Sequence, residues 1–71
     1  MNIQARFGQT LRKLRKERGL SQEKLANISG LDRTYIPSIE KGERNVSIEV
    51  IEKLAIALQI KISDFFEEEC Q

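Results

Sequence analysis

Histidine is missing from the 71-residue sequence, and cysteine occurs once, at Cys70. Those shortages exclude an intramolecular disulfide, a Cys/His zinc site and a Ser-His or Cys-His catalytic pair. The single thiol lies in the polar stretch "EEECQ", reads as an ordinary exposed cysteine, and suits a reducing compartment. Proline also occurs once, and no apolar run approaches the roughly 18 residues of a membrane span. Because the N-terminus shows no signal-peptide apolar region, the expectation is a cytoplasmic protein with no membrane partner. A glycine-rich phosphate loop is lacking, the carboxylates are scattered over several helix faces, and no nucleophile has a base. An enzyme is therefore not expected, nor a metal or other cofactor.

What the chain does have is charge, unevenly placed. Residues 1 to 46 carry ten Lys/Arg against five Asp/Glu, whereas residues 47 to 71 carry two against six, so a net +1 conceals a basic first part and an acidic second. A basic end suits a polyanion and an acidic end stays clear of it; the plainer reading is a solvated charged surface. A chain of this length is expected to form one domain, residues 1 to 71. It would bury only about 60% of the surface its unfolded form exposes, so a partner subunit would add burial. No internal repeat, low-complexity tract or linker interrupts it.

Only helical periods occur. Ile3, Phe7, Leu11 and Leu14 recur at i, i+4, i+8 and i+11, and Gly19 follows the basic run Arg15-Lys16-Glu17-Arg18, which marks a first helix. Ser21 can cap a second, with Leu25, Ala26 and Ile28 on its buried side and Ser29-Gly30 at its end. Asp32 can cap a third that Gly42 terminates, Ser47 a fourth from Ile48 to about Leu58, and Ser63 a short fifth through Phe65 and Phe66. Ile60-Lys61-Ile62 reads as a loop dropping apolar side chains into the core. The predicted class is all-α with five helices.

At about 100° per residue, Ile36 and Ile39 define the inward face of the third helix, which places Thr34, Pro37, Ser38 and Lys41 outward with Arg33 and Tyr35 beside them. Arg, Thr and Tyr in a first turn suit the major groove. Arg bridges guanine O6 and N7, Thr meets a thymine methyl or a phosphate, and Tyr reaches the backbone. An ordinary solvated face is the bland alternative. From Gln22 onward, however, Leu25, Ala26, Gly30, Leu31, Ile36 and Ile39 fall where a helix-turn-helix over about residues 22 to 41 needs them. With Asp32 as cap, Pro37 is the fifth helical residue and lacks the amide that would bond the Arg33 carbonyl. The expectation is a distorted first turn, at less than the about 3 kcal/mol of a helix interior. Replacing Pro37 by serine should then raise the melting temperature, and the proline could tune DNA choice by re-aiming Arg33 and Thr34.

Two surpluses remain. Arg15 continues the apolar stripe of the first helix, so its guanidinium should be half buried and in need of an acceptor. The fourth helix has more apolar surface than its inward stripe of Ile48, Ile51, Leu54, Ala55 and Leu58 requires. Ile56 lies on the far side with Val50 and Ala57 beside it, and Phe66 adjoins a buried Phe65. That excess suggests an intermolecular surface over about residues 48 to 68, with Val50, Ile56 and Phe66 as its candidates.

The stretch "LSQEKLANISGLDRTYIPSIEKGERNVS" resembles the helix-turn-helix core of the lambda-repressor-like (Xre) family, and the likeness extends from Arg15 through "LAIALQIKISDFF". Within that family, "LDRTYI", "IE" and "RN.SI" are most similar to the small controller proteins of restriction-modification systems. The resemblance implies a five-helix lambda-repressor-like DNA-binding domain that acts as a sequence-specific transcription regulator. It also implies a homodimer, joined through its last helices, on a pseudo-palindromic double-stranded DNA operator, with the two third helices about one DNA turn, roughly 34 Å, apart. By the same resemblance Gln22 contacts the DNA backbone, Arg33 and Thr34 read bases, and Tyr35, Ser38, Arg44 and Asn45 lie near bases or phosphates. An ion pair between Arg15 and Glu40 is implied as well. RNA polymerase is a further candidate partner, and 71 residues leave no room for an inducer-binding domain, so no small-molecule effector is expected. Two positions depart from the pattern: Pro37 stands where controllers usually have serine, and Gln59 where the family usually has glycine. Gln59 is expected in a left-handed conformation, at roughly 1 kcal/mol relative to glycine. Two other readings stay open, a phage-type repressor or antitoxin of the same fold and a protein-interaction module without specific DNA binding.

Overall fold

A computed structural model of the chain describes residues 2–67. The expected thiol at Cys70 lies outside the described residues. Four α-helices follow one another: α1 (Ile3–Glu17), α2 (Gln22–Ser29), α3 (Tyr35–Glu40) and α4 (Ile48–Leu58). A single 3-10 turn, Ile62–Phe65, stands where a fifth helix was expected, and no strand occurs among the described residues. Ser63 does not cap that turn. Lys61 takes the cap position, its N–H donating to the Asp64 carboxylate at 3.0 Å, and the i to i+3 bonds from Asp64 to Lys61 and from Phe66 to Ser63 close it tightly.

Short polar side chains begin the longer helices. The amide oxygen of Asn2 accepts from the Ala5 N–H at 2.8 Å, Ser21 Oγ from Lys24 at 3.0 Å, and Ser47 Oγ from Val50 at 3.2 Å, each relieving one orphan donor of a first turn. Left-handed residues end them. Gly30 closes α2 at φ 75°, and Gln59 closes α4 at φ 60° and ψ 45°, the one non-glycine residue with positive φ among those described. Beyond Gly30, the Leu31 N–H reaches back to the Ala26 carbonyl at 2.9 Å, which turns the chain sharply from α2 toward α3. The C-terminus of α4 gains a cation from elsewhere, since Arg18 Nε donates to the Leu58 carbonyl at 2.6 Å.

α1 packs on α3 and α2 packs on both α3 and α4, around a core of Phe7, Leu11, Leu25, Ala26, Ile36, Ile39, Val50, Leu54, Ala55, Leu58 and Phe65. Phe65 packs against Phe7 with ring centres 4.7 Å apart and planes inclined at 45°, which fastens the 3-10 turn to α1. Five positions differ from the sequence reading. In α4 the inward arc runs through Val50, Leu54, Leu58 and Ala55, so Val50 is 8% exposed, while Ile48, at the helix end and the edge of that arc, is 80% exposed. In α2 Ile28 is exposed and Ser29 is buried instead, because its hydroxyl donates back to the carbonyls of Leu25 and Ala26 at 2.7 and 3.2 Å and is thereby satisfied. Ile60 packs against the core as expected, but Ile62 is exposed.

Candidate nucleic-acid interface

The chain enters α3 through a turn rather than a capped helix end. Oδ1 of Asp32 accepts from the Thr34 N–H at 2.9 Å and from the Thr34 hydroxyl at 2.7 Å, while the Tyr35 N–H donates to the Asp32 carbonyl at 2.9 Å. Asp32 thus organises the turn before the helix, and Thr34 occupies the cap position. These bonds hold the Asp32 carboxyl below its ordinary value of 3.8; the Thr34 N–H is the largest cause, followed by the Thr34 hydroxyl, with the Arg33 charge adding to them. The later start of α3 explains the proline. Pro37 is the third helical residue, not the fifth, and the N–H it lacks belongs to the first turn, whose donors have no partner within the helix in any case.

Tyr35, Ser38 and Arg44 form one cluster on the outward side of α3. The Arg44 guanidinium lies 4.2 Å above the Tyr35 ring centre, and its Nε donates to Ser38 Oγ at 3.0 Å. The Ser38 hydroxyl donates in turn to the Tyr35 carbonyl at 2.8 Å. The loop after α3 is therefore folded back onto that helix, with Asn45 exposed beside Arg44. Arg33 and Thr34 are exposed at the other edge, where Arg33 shares a shallow surface hollow with Lys24 and Asn27 of α2 and with its cap Ser21. Basic, aromatic and hydroxyl groups thus converge on one end of α3, a set that can bond base edges and phosphates.

The opposite end of α3 is clamped. Arg15 Nε donates to Glu40 Oε2 at 2.7 Å and its Nη2 to Oε1 at 3.1 Å, a bidentate pair whose side chains are 9% and 5% exposed. A third donor, Nη1, goes to the Leu20 carbonyl at 2.8 Å. Gln22, placed by the resemblance on the DNA backbone, here donates its Nε2 to Glu40 Oε1 at 3.1 Å. The site residues therefore divide: Arg33, Thr34, Tyr35, Ser38 and Arg44 gather at the start of α3, and Gln22 joins Arg15 and Glu40 at its end. Gly8 was not singled out from the sequence. A Cβ there would run into the Ile39 carbonyl oxygen and stand 2.9 Å from that of Glu40, so the glycine lets α1 touch the end of α3 backbone to backbone. The available signal was a glycine inside an otherwise regular helical stripe.

Among the described residues, no group of three or more metal-binding side chains comes together, and no helix is long and apolar enough to cross a membrane. The profile of the family described as helix-turn-helix matches residues 11–65. The control protein C.MunI of Mycoplasma sp is 52% identical over 66 residues, which is 92% of this chain and 89% of that protein. The control protein C.BamHI of Bacillus amyloliquefaciens is 46% identical over 67 residues, covering 93% of this chain and 83% of the relative. In three dimensions the crystal structure of the restriction-modification controller protein C.AhdI from Aeromonas hydrophila superposes with a TM-score of 0.86 at 55% identity, over 87% of this chain and 94% of that one. A turn at Gly30, a basic and aromatic outward end on α3, and likeness along most of the length in sequence and in fold agree: the chain belongs to the helix-turn-helix family and has restriction-modification control proteins among its relatives.

Proposed function

We propose that this chain is a DNA-binding transcription regulator, the controller of a restriction-modification system, acting in the cytoplasm as a homodimer on a pseudo-palindromic operator. The observation that carries the reading is the exposed start of α3, where Arg33 and Thr34 stand free of the core next to the Tyr35–Arg44–Ser38 cluster. Arg33 and Thr34 read base edges in the major groove, while Gln22, Tyr35, Ser38, Arg44 and Asn45 hold phosphates or adjacent edges. Dimerisation uses the exposed apolar side chains around α4 and the 3-10 turn, Ile48, Ile56 and Phe66. Val50, being in the chain's own core, has little surface left to give a second copy. Regulation follows protein concentration through dimerisation, and RNA polymerase is the partner at the promoter.

Fluorescence anisotropy tests this with DNA duplexes selected from a random pool, at two salt concentrations and with Arg33→Ala. Palindromic winners bound roughly a thousandfold above non-specific DNA, with Arg33→Ala relaxing the choice at one base position, are the expected result. Weak, salt-sensitive binding indifferent to sequence and to Arg33 would leave only a charged surface.

A further inference from the structure

One hydrogen bond crosses from the clamped end of α3 to a residue assigned above to DNA. Gln22 Nε2 lies 3.1 Å from Glu40 Oε1, the same oxygen that accepts from Arg15 Nη2. A carboxylate only accepts, so the amide nitrogen of Gln22, and not its carbonyl oxygen, must face Glu40. That nitrogen has two protons. One is committed to Glu40, and the other leaves from an atom whose position the Arg15–Glu40 pair has fixed. Phosphate oxygens also only accept, so a free carboxamide would offer them its oxygen as readily as its nitrogen.

We propose that Glu40 is a positioning residue for DNA binding: the carboxylate that ties α3 to α1 through Arg15 also orients the Gln22 carboxamide so that its second N–H meets a backbone phosphate. This rests on the DNA-binding reading given above. Burial supports it. Glu40 is too enclosed to meet DNA itself, with its side chain 5% exposed, whereas Gln22 is half-buried at the first residue of α2 and reaches both the carboxylate and the surface. The arrangement makes the ion pair an internal gauge: α1, α2 and α3 must all be in register for the amide to face outward.

A double-mutant cycle tests it, read by anisotropy with a fluorescein-labelled duplex of mixed sequence, about 30 base pairs long, because phosphate contacts do not depend on sequence. One arm is Gln22→Ala. The other replaces the pair together, Arg15→Met with Glu40→Leu, which keeps the net charge and fills the space with apolar side chains, an exchange that buried ion pairs often tolerate. Gln22→Ala alone should weaken binding roughly tenfold, the loss of one hydrogen bond to a charged group. Its salt slope should stay that of the wild type, since a neutral amide releases no counterion. In the replaced-pair protein the starting affinity should already be down by about the same factor, and Gln22→Ala should then cost less than about twofold. Equal losses in both backgrounds would overturn the positioning role and leave Gln22 an independent contact. An unchanged affinity for Gln22→Ala in a protein that does bind the duplex would overturn it too, leaving the DNA-binding reading intact. Failure of the wild type to bind any duplex would instead remove both. Should the replaced pair lose its helical circular dichroism, Glu40→Asp serves in its place. It keeps the charge but withdraws the carboxylate by one methylene, and the cycle with Gln22→Ala is read in the same way.

Discussion

The two ends of α3 are held by opposite means. At the start, Asp32, Thr34, Tyr35, Ser38 and Arg44 make short polar contacts in the open, each individually weak in water. At the finish, Gly8 brings two backbones into contact, and Arg15 and Glu40 meet bidentately out of solvent. A six-residue helix is too short to stand alone, so its tertiary contacts must supply its order. The buried end fixes where the helix lies; the exposed end leaves its side chains free to exchange each other for an outside partner. A surface that recognises DNA needs that division, because a group whose donors are all taken within the fold has none left to offer, whereas Gln22 still has one.

The comparison breaks most completely at the buried end. Arg15→Ala strands the Glu40 carboxylate and takes a donor from the Leu20 carbonyl, and is expected to cost about 3 to 5 kcal/mol of folding stability. Equilibrium denaturation measures this directly, and a loss typical of surface pairs, below about 1 kcal/mol, would show that the clamp carries little. Gly8→Ala comes next. Alanine is the better helix former, so an exposed site would gain stability, yet here the methyl meets the Ile39 and Glu40 carbonyls. A loss of about 3 kcal/mol is expected, at the upper end for forced overpacking, and any gain would mean that α1 and α3 can part at no cost.

How much of this could be read from the sequence follows the same division. Helix caps are local chemistry, and Ser21, Ser47 and the left-handed Gln59 stand where the sequence placed them. The outward set at α3 was legible because Ile36 and Ile39 alone define its inward face. The start of α3 was not, since aspartate serves equally as a helix cap and as the acceptor of a preceding turn, and only the position of Thr34 decides between them. Ile48 and Val50 exchanged roles because a stripe read by periodicity has a centre but no edges; what lies at the end of the helix determines them. A glycine inside the stripe of α1 pointed to a close approach at Gly8, but which helix crosses it there is a property of topology that no local pattern contains.

At the exposed end the effects should be small, and one changes sign with the structure. Pro37 counted as the fifth helical residue loses a hydrogen bond, and serine would restore it. Pro37 as the third loses none, and its fixed φ already suits a first turn. Pro37→Ser is therefore expected to lower stability by about 0.5 kcal/mol, through the greater freedom of the unfolded chain. A clear rise in melting temperature would place the helix start back at Asp32.

The smallest effect is confined to acid. The Asp32 carboxyl is held below 3.8 chiefly by the Thr34 N–H and hydroxyl, so its ionised form favours the folded chain. A depressed pKa contributes stability that is fully present above the unfolded value and is lost as pH falls through the folded one. Asp32→Asn keeps an oxygen acceptor but cannot ionise, which makes it the reference. Thermal unfolding of both proteins from neutral pH to about pH 2 should show a modest wild-type advantage that holds above 3.8 and fades below it. Every other carboxylate is common to both proteins and drops out of the difference. A difference that stays constant through that range would mean that the turn into α3 is set by the shape of the aspartate and not by its charge, and would make the exposed end of the helix even less dependent on electrostatics than the clamped one.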